Sequence, residues 1–121
     1  MGKYVIKPGK TGPYFVLKAA NGEPIGKSEV YSSEAAAKNG IESVRKNALI
    51  APIEDQTVEG WKNMANPVFE LFKDKSGEFR FRLRAKNGEP ILASEGYSAK
   101  ASAIGGIESV KKNADSEVVV E

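Results

Sequence analysis

The chain contains no cysteine and no histidine among its 121 residues. Without cysteine there is no disulfide framework and no thiolate chemistry. Without histidine, the usual general base near neutral pH and the usual metal ligand are both missing. Acidic cation sites remain chemically open, but no spaced acidic loop of the calcium type is present. No apolar run approaches membrane-spanning length. The opening Met1-Gly2-Lys3-Tyr4 lacks the apolar core of a secretory signal, and Ile6 stands where a myristoylation motif needs Ser or Thr. The net charge of +2 is too small to imply a polyanionic partner by itself. These absences lead us to expect a soluble cytoplasmic protein with no catalytic residue, no cofactor and no metal site.

What is present is a repeat. Tyr31-Ser32 and the run from Gly40 to Ala48 return as Tyr97-Ser98 and Gly106 to Ala114, 66 residues later, with one Arg changed to Lys. Asn-Gly-Glu-Pro precedes each copy at a fixed offset, as Asn21 to Pro24 and Asn87 to Pro90. The chain is thus two versions of one unit. We place the first at 1–54, a linker at 55–66 and the second at 67–121. Each unit is near the size where a lone core becomes marginal, so a shared core is the more stable arrangement.

Within each unit the pattern predicts β-β-β-α-β. Phe15, Leu17 and Ala19 alternate with Tyr14, Val16 and Lys18, and Phe79, Phe81 and Leu83 alternate with Arg80, Arg82 and Arg84. Asn21-Gly22 and Asn87-Gly88 read as two-residue hairpin turns whose residues tolerate positive φ. A third strand is expected over Ile25 to Val30 and a fourth over Leu49 to Glu54. Ser32 or Ser33, and then Ser98, are placed to cap helices. Ala37, Gly40, Ile41, Val44 and Ala48 share one helix side, as do Ala103, Gly106, Ile107, Val110 and Ala114. Gly40 lies on that apolar side, where it lets the helix approach the sheet closely. One helix per unit covers one sheet face, so we expect an α+β fold: one antiparallel sheet, both helices on the same side. Trp61, the only tryptophan, is expected to pin the linker onto the body.

Phe69 to Asp74, Gly77 to Leu83, Asn87-Gly88-Glu89, Ser94 to Tyr97 and Gly106 to Val110 resemble the YegP-like family, a domain of unknown function (DUF1508). The match spans nearly all of the second unit. The first departs where Val30 replaces a glycine and Pro13-Tyr14 replaces Glu-Phe-Arg. The resemblance implies one sheet whose C-terminal strands are exchanged between units, and a pseudo-symmetric monomer for a tandem chain. It implies no activity and carries no functional residue.

Function is therefore sought on the uncovered sheet face. Arg80, Arg82 and Arg84 form a basic row next to aromatics, a pattern used by single-strand RNA binders. Against that stands a solvated face balanced by Glu70 and Glu78. With Tyr14, Val16 and Lys18 the same face makes a mixed apolar and basic patch, which suits a protein partner. We favour a non-enzymatic binding module using Tyr14, Val16, Lys18, Arg80, Arg82 and Arg84. RNA binding through the arginine row is the alternative, and a stress-related accessory protein with no dedicated site is a third possibility. The repeated acids Glu23/Glu89, Glu29/Glu95 and Glu42/Glu108 fit turn and helix-surface roles, and Ser43 and Ser109 have no histidine to activate them.

Overall fold

A computed structural model describes residues 2–121. The elements are β1 (Lys3–Lys7), β2 (Tyr14–Lys18), β3 (Pro24–Lys27), α1 (Glu34–Ala48), β4 (Ile53–Asp55), β5 (Val68–Lys73), β6 (Phe79–Arg84), β7 (Pro90–Ala93), α2 (Lys100–Asn113) and β8 (Glu117–Val120). The fold is α+β. All the strands form one sheet in the order β4-β5-β6-β7-β3-β2-β1-β8.

Each half is completed by the other. β4 pairs with β5, and β8 pairs with β1. Both of these outer pairs are parallel, so the sheet is mixed rather than wholly antiparallel. The physical reason is connectivity. Tight turns force antiparallel neighbours, whereas β4 and β8 each follow a helix and are free to arrive in the other sense. The exchange is reinforced by side chains. Tyr4 Oη donates to the Ala114 carbonyl at 2.7 Å, Arg45 Nη2 donates to the Ser116 carbonyl at 2.6 Å, and Lys100 meets Asp55 at 2.5 Å.

Both helices lie on the same face, each across strands of both halves: α1 against β1, β2, β6 and β7, and α2 against β2, β3, β5 and β6. A single core joins Phe15, Leu17, Phe81 and Leu83 to Ile41, Val44, Ile107 and Val110. Gly40 and Gly106 sit where the helices press on this layer. A Cβ at Gly106 would meet Tyr97 Oη at 2.6 Å and Phe81 at 2.8 Å. At Gly40 it would collide with Tyr31 Oη. The repeated tyrosine, stacked on Phe15 or Phe81, is thus what the repeated glycine makes room for.

Three local expectations change. Only Gly22 and Gly88 take positive φ in the Asn-Gly turns; the asparagines do not. Asn21 Oδ1 and Asn87 Oδ1 instead accept from the amides of Glu23 and Glu89 at 3.0 Å, so each asparagine closes the turn through its side chain. Ser33 caps α1, its Oγ accepting from Ala36 N at 3.1 Å, but α2 begins after Ala99 with no side-chain cap. Ser98 corresponds to Ser32, one residue too early to cap. β3 and β4 are also shorter than the patterns of Ile25 to Val30 and Leu49 to Glu54 indicated.

Candidate binding face

With the helices on one side, the other side of the sheet is left to the outward positions of the alternating strands. Register connects them into rows. One row runs Val119, Val5, Val16, Lys27, Ala93, Arg82, Glu70, Glu54, crossing all the strands from β8 to β4. Lys27 and Ala93 occupy equivalent places in the two units. They form the single register pair between β3 and β7, so the local symmetry axis passes between them. Along this weakly paired seam the open face sinks into a groove of about 810 Å³.

The six candidate residues all lie on this face, but not as one patch. β2 and β6 are separated by β3 and β7, so Tyr14 and Val16 are not beside Arg80 and Arg82. Val16, Lys18, Arg80, Arg82 and Arg84 line the groove from opposite sides, and Tyr14 lies outside its lining.

The arginines are engaged within the chain. Arg82 Nε and Arg84 Nε both donate to Glu70 Oε1, at 2.5 and 2.8 Å, and Arg80 Nε donates to Asp74 Oδ2 at 2.6 Å. Glu70 thus balances the row as expected, but its second partner is Asp74, not Glu78. The Asp74 turn brings its carboxylate back over Arg80 while accepting from Ser76 and the Glu78 amide. The Arg80 guanidinium beside Asp74 holds that carboxyl well below the usual range, with Ser76 adding to the effect. Burial pushes the Glu70 carboxyl up, but Arg82 and Arg84 more than offset it and leave it lowered. Behind Glu70, Gln56 Nε2 donates to Glu54 Oε2 at 2.7 Å, and Met64 N donates to Glu54 Oε1 at 2.5 Å. The segment between β4 and β5 therefore folds over the edge of the charged half.

Rings on the open face carry cations. Lys27 Nζ lies 4.9 Å from the centre of the Tyr14 ring, and the Arg82 guanidinium 4.7 Å from that of Phe72. Trp61, expected to be pinned, is 42 % exposed in the β4–β5 segment, between the exposed Val58 and Met64. The segment is held by the backbone at Met64 instead. Lys27 was missed by the sequence analysis. Its strand Pro24–Lys27 contains a glycine and no alternation, so nothing local showed which way the side chain points.

The other repeated polar residues have structural partners. Ser43 and Ser109 accept from the side-chain amides of Asn47 and Asn113. Glu42 pairs with Arg45. Among the described residues, no group of three or more acidic side chains is placed to hold a metal ion, and no helix is long and apolar enough to cross a membrane.

Comparison with known proteins agrees with the tandem architecture. The DUF1508 model, a domain of unknown function, matches residues 10–55 and again 74–121. The chain belongs to the DUF1508 family. The YegP protein of Yersinia pestis, a UPF0339 protein, is 43% identical over 120 residues, 98% of this chain and 94% of the relative. A UPF0339 protein of Agrobacterium fabrum is 60% identical over 53 residues, 44% of this chain but 86% of the relative, so DUF1508 relatives of about one unit exist. The solution structure of YegP from E. coli, a protein of unknown function, superposes with a TM-score of 0.81 at 32% identity, covering 99% of this chain and 92% of that one. A UPF0339 protein of Shewanella oneidensis gives the same TM-score at 31% identity, covering 98% and 90%.

Proposed function

We propose that this chain is a non-enzymatic binding module, a pseudo-symmetric monomer whose open sheet face takes a protein partner. The observation that carries this is the groove along the β3–β7 seam, on the face the helices leave bare. It combines an apolar floor with a rim of lysines and arginines that also holds Glu29 and Glu95, the mixture that protein-binding patches use. The exchange supports a monomer, since each half already supplies the outer strand of the other. Single-stranded RNA has less support. Its phosphates would compete with Glu70 and Asp74 for the arginines, and the Tyr14 and Phe72 rings it would stack on are covered by cations.

The test uses the full chain as bait, with Lys18→Glu on the open face and Lys46→Glu on the exposed side of α1 as a charge-matched control. A genuine partner is lost with Lys18→Glu and retained with Lys46→Glu. Partners that ignore both changes, or that vanish with both, would remove the open face as the binding surface.

A further inference from the structure

The two ends of the sheet are finished differently. At one end β4 is three residues long and follows Pro52, and the β4–β5 segment is tied back to it where Met64 N donates to Glu54 Oε1. Short strands, proline and covering segments are the ordinary ways of closing a sheet edge. At the other end β8 is Glu117 followed by three valines, with no proline. It is the outermost strand, and Val119 and Val120 are 37 % and 48 % exposed.

The backbone of β8 has polar groups to offer. Glu121 N donates to the Ile6 carbonyl at 2.9 Å. Alternate residues of a parallel strand turn their N–H and C=O to the same neighbour. Glu117, Val119 and Glu121 therefore face β1, and the N–H and C=O of Val118 and Val120 point away from the sheet. The side chains say what would lie alongside. Val118 packs on the core, so Glu117, Val119 and Glu121 stand on the open side. β1 already shows the matching pattern. Lys3 lies beside Glu117, Val5 beside Val119 and Ile6 beside Val120, and Lys7 pairs with Glu121 at 3.5 Å. A strand on the free side of β8 meets the same three side chains, an acid on each side of a valine.

We propose that the free edge of β8 takes an extended peptide with a basic residue two places either side of a central valine, added to the sheet as a further strand. Backbone pairing with Val118 and Val120 would hold it, and Glu117 and Glu121 would select its charge. A second copy of this chain is a poor occupant. A two-fold contact between β8 strands centred on Val119 would set Glu117 against Glu121 on both sides. The two acids thus guard the edge against itself while leaving it open to a strand of opposite charge.

The probe is a fluorescein-labelled peptide, Ser-Lys-Ile-Val-Ile-Lys-Ser, followed by anisotropy against the full chain. One comparison replaces both lysines by glutamate. Another is N-methylated at the three central residues, which removes donors that a backbone ladder needs. The lysine peptide should bind and weaken as salt rises, and neither comparison should bind as tightly. Glu117→Lys together with Glu121→Lys should weaken the lysine peptide about tenfold and turn the preference to the glutamate peptide. Val120→Pro removes an outward N–H and no internal hydrogen bond, so it should weaken binding and leave the fold intact. On the ¹⁵N-labelled protein the Val118 and Val120 amides should gain protection from exchange. The inference is overturned if the lysine peptide does not bind, if the N-methylated peptide binds as tightly, or if the charge exchange leaves the preference unchanged. Shifts on β3 and β7 would put the peptide in the groove and overturn it too. So would dimers in sedimentation equilibrium that Val120→Pro abolishes, since the occupant would then be a second copy. None of residues 117–121 lines the groove, so the edge and the open face can each fail alone.

Discussion

The two sides of the central row make different use of the same backbone. From the Lys27–Ala93 axis toward β8 the residues are Val16, Val5 and Val119; toward β4 they are Arg82, Glu70 and Glu54. The covered face diverges less, mainly at Gly26 and Leu92 and at Tyr4 and Phe69. Phe15 and Phe81, Leu17 and Leu83, Ile41 and Ile107, Val44 and Val110 are paired across the units and fully buried. The helix side must satisfy the same packing twice, so its residues stay alike. The open side has no partner layer to match, and each half solved its exposure separately. One half stacks valines, Val5 being 3 % exposed and Val16 8 %. The other buries the Glu54 carboxylate and satisfies it with a backbone amide and Gln56.

Separating the halves should have the largest effect. Residues 1–64 alone lack β5 and β8, so β4 loses its only neighbour and β1 its outer one. That fragment should be unfolded or dimeric by circular dichroism and sedimentation equilibrium, and a well-folded monomer would show that the exchange is dispensable. Copying one half's chemistry into the other comes next. Val5→Glu puts the equivalent of Glu70 among valines with no arginine beside it. It should lower stability by on the order of 3 kcal/mol in urea unfolding. Adding Val16→Arg, the equivalent of Arg82, should recover part of that loss. No recovery would mean that the charged half depends on Arg84 and Gln56 as much as on Arg82.

A smaller effect is expected at the axis. Gly26 and Leu92 hold equivalent places, and a Cβ on Gly26 would lie 2.7 Å from Leu92 Cγ. The seam has room for one large side chain, not two. Gly26→Leu should destabilise the protein by about 2 kcal/mol through overpacking. The exchange Gly26→Leu with Leu92→Gly should restore most of it. Equal stability of the wild type, the single variant and the double variant would show that the seam is loose enough to need no such asymmetry.

Much of this was legible in the letters of the chain. The repeat, the helix faces and the alternation of β2 and β6 fix the covered side, because period and burial are linked by geometry. The family resemblance supplied the strand exchange. Parallel pairing at the two edges was not legible, since no residue of Ile53–Asp55 or Glu117–Val120 records the direction of its neighbour. Nor could the sequence show that Asp74, six residues before Arg80, turns back to bind it. The distance of Tyr14 and Val16 from the arginines depends on strand order, which the chain does not record. The groove itself exists only because β3 and β7 are brought together at the axis, and neither strand alone carries a sign of it.

The two halves also differ in their response to pH, with the smallest expected effects. On the acid side it is the second half that should respond. Glu70 and Asp74 have folded values lowered below their ordinary 4.5 and 3.8, so their stabilisation is complete above those values and is lost as pH falls through the folded ones. On the alkaline side Tyr4 should matter most. Burial raises its phenol well above the ordinary 10.0, so it favours folding below pH 10 and loses that contribution as pH rises through the folded value. Its counterpart in the second unit is Phe69, which cannot ionise. Tyr31 and Tyr97 are also raised by burial, one in each half, so they add an alkaline loss common to both. Urea midpoints against pH should therefore fall on both flanks, and Tyr4→Phe should flatten only the alkaline one. That variant also removes the bond from Tyr4 Oη to the Ala114 carbonyl, so at neutral pH it should be less stable by about 1 kcal/mol. The two effects have opposite signs above pH 10, and the wild-type and Tyr4→Phe curves should converge there. Curves that stay parallel through the alkaline range would show that the Tyr4 hydroxyl acts only as a strand-to-helix tie and that its burial has no titration consequence.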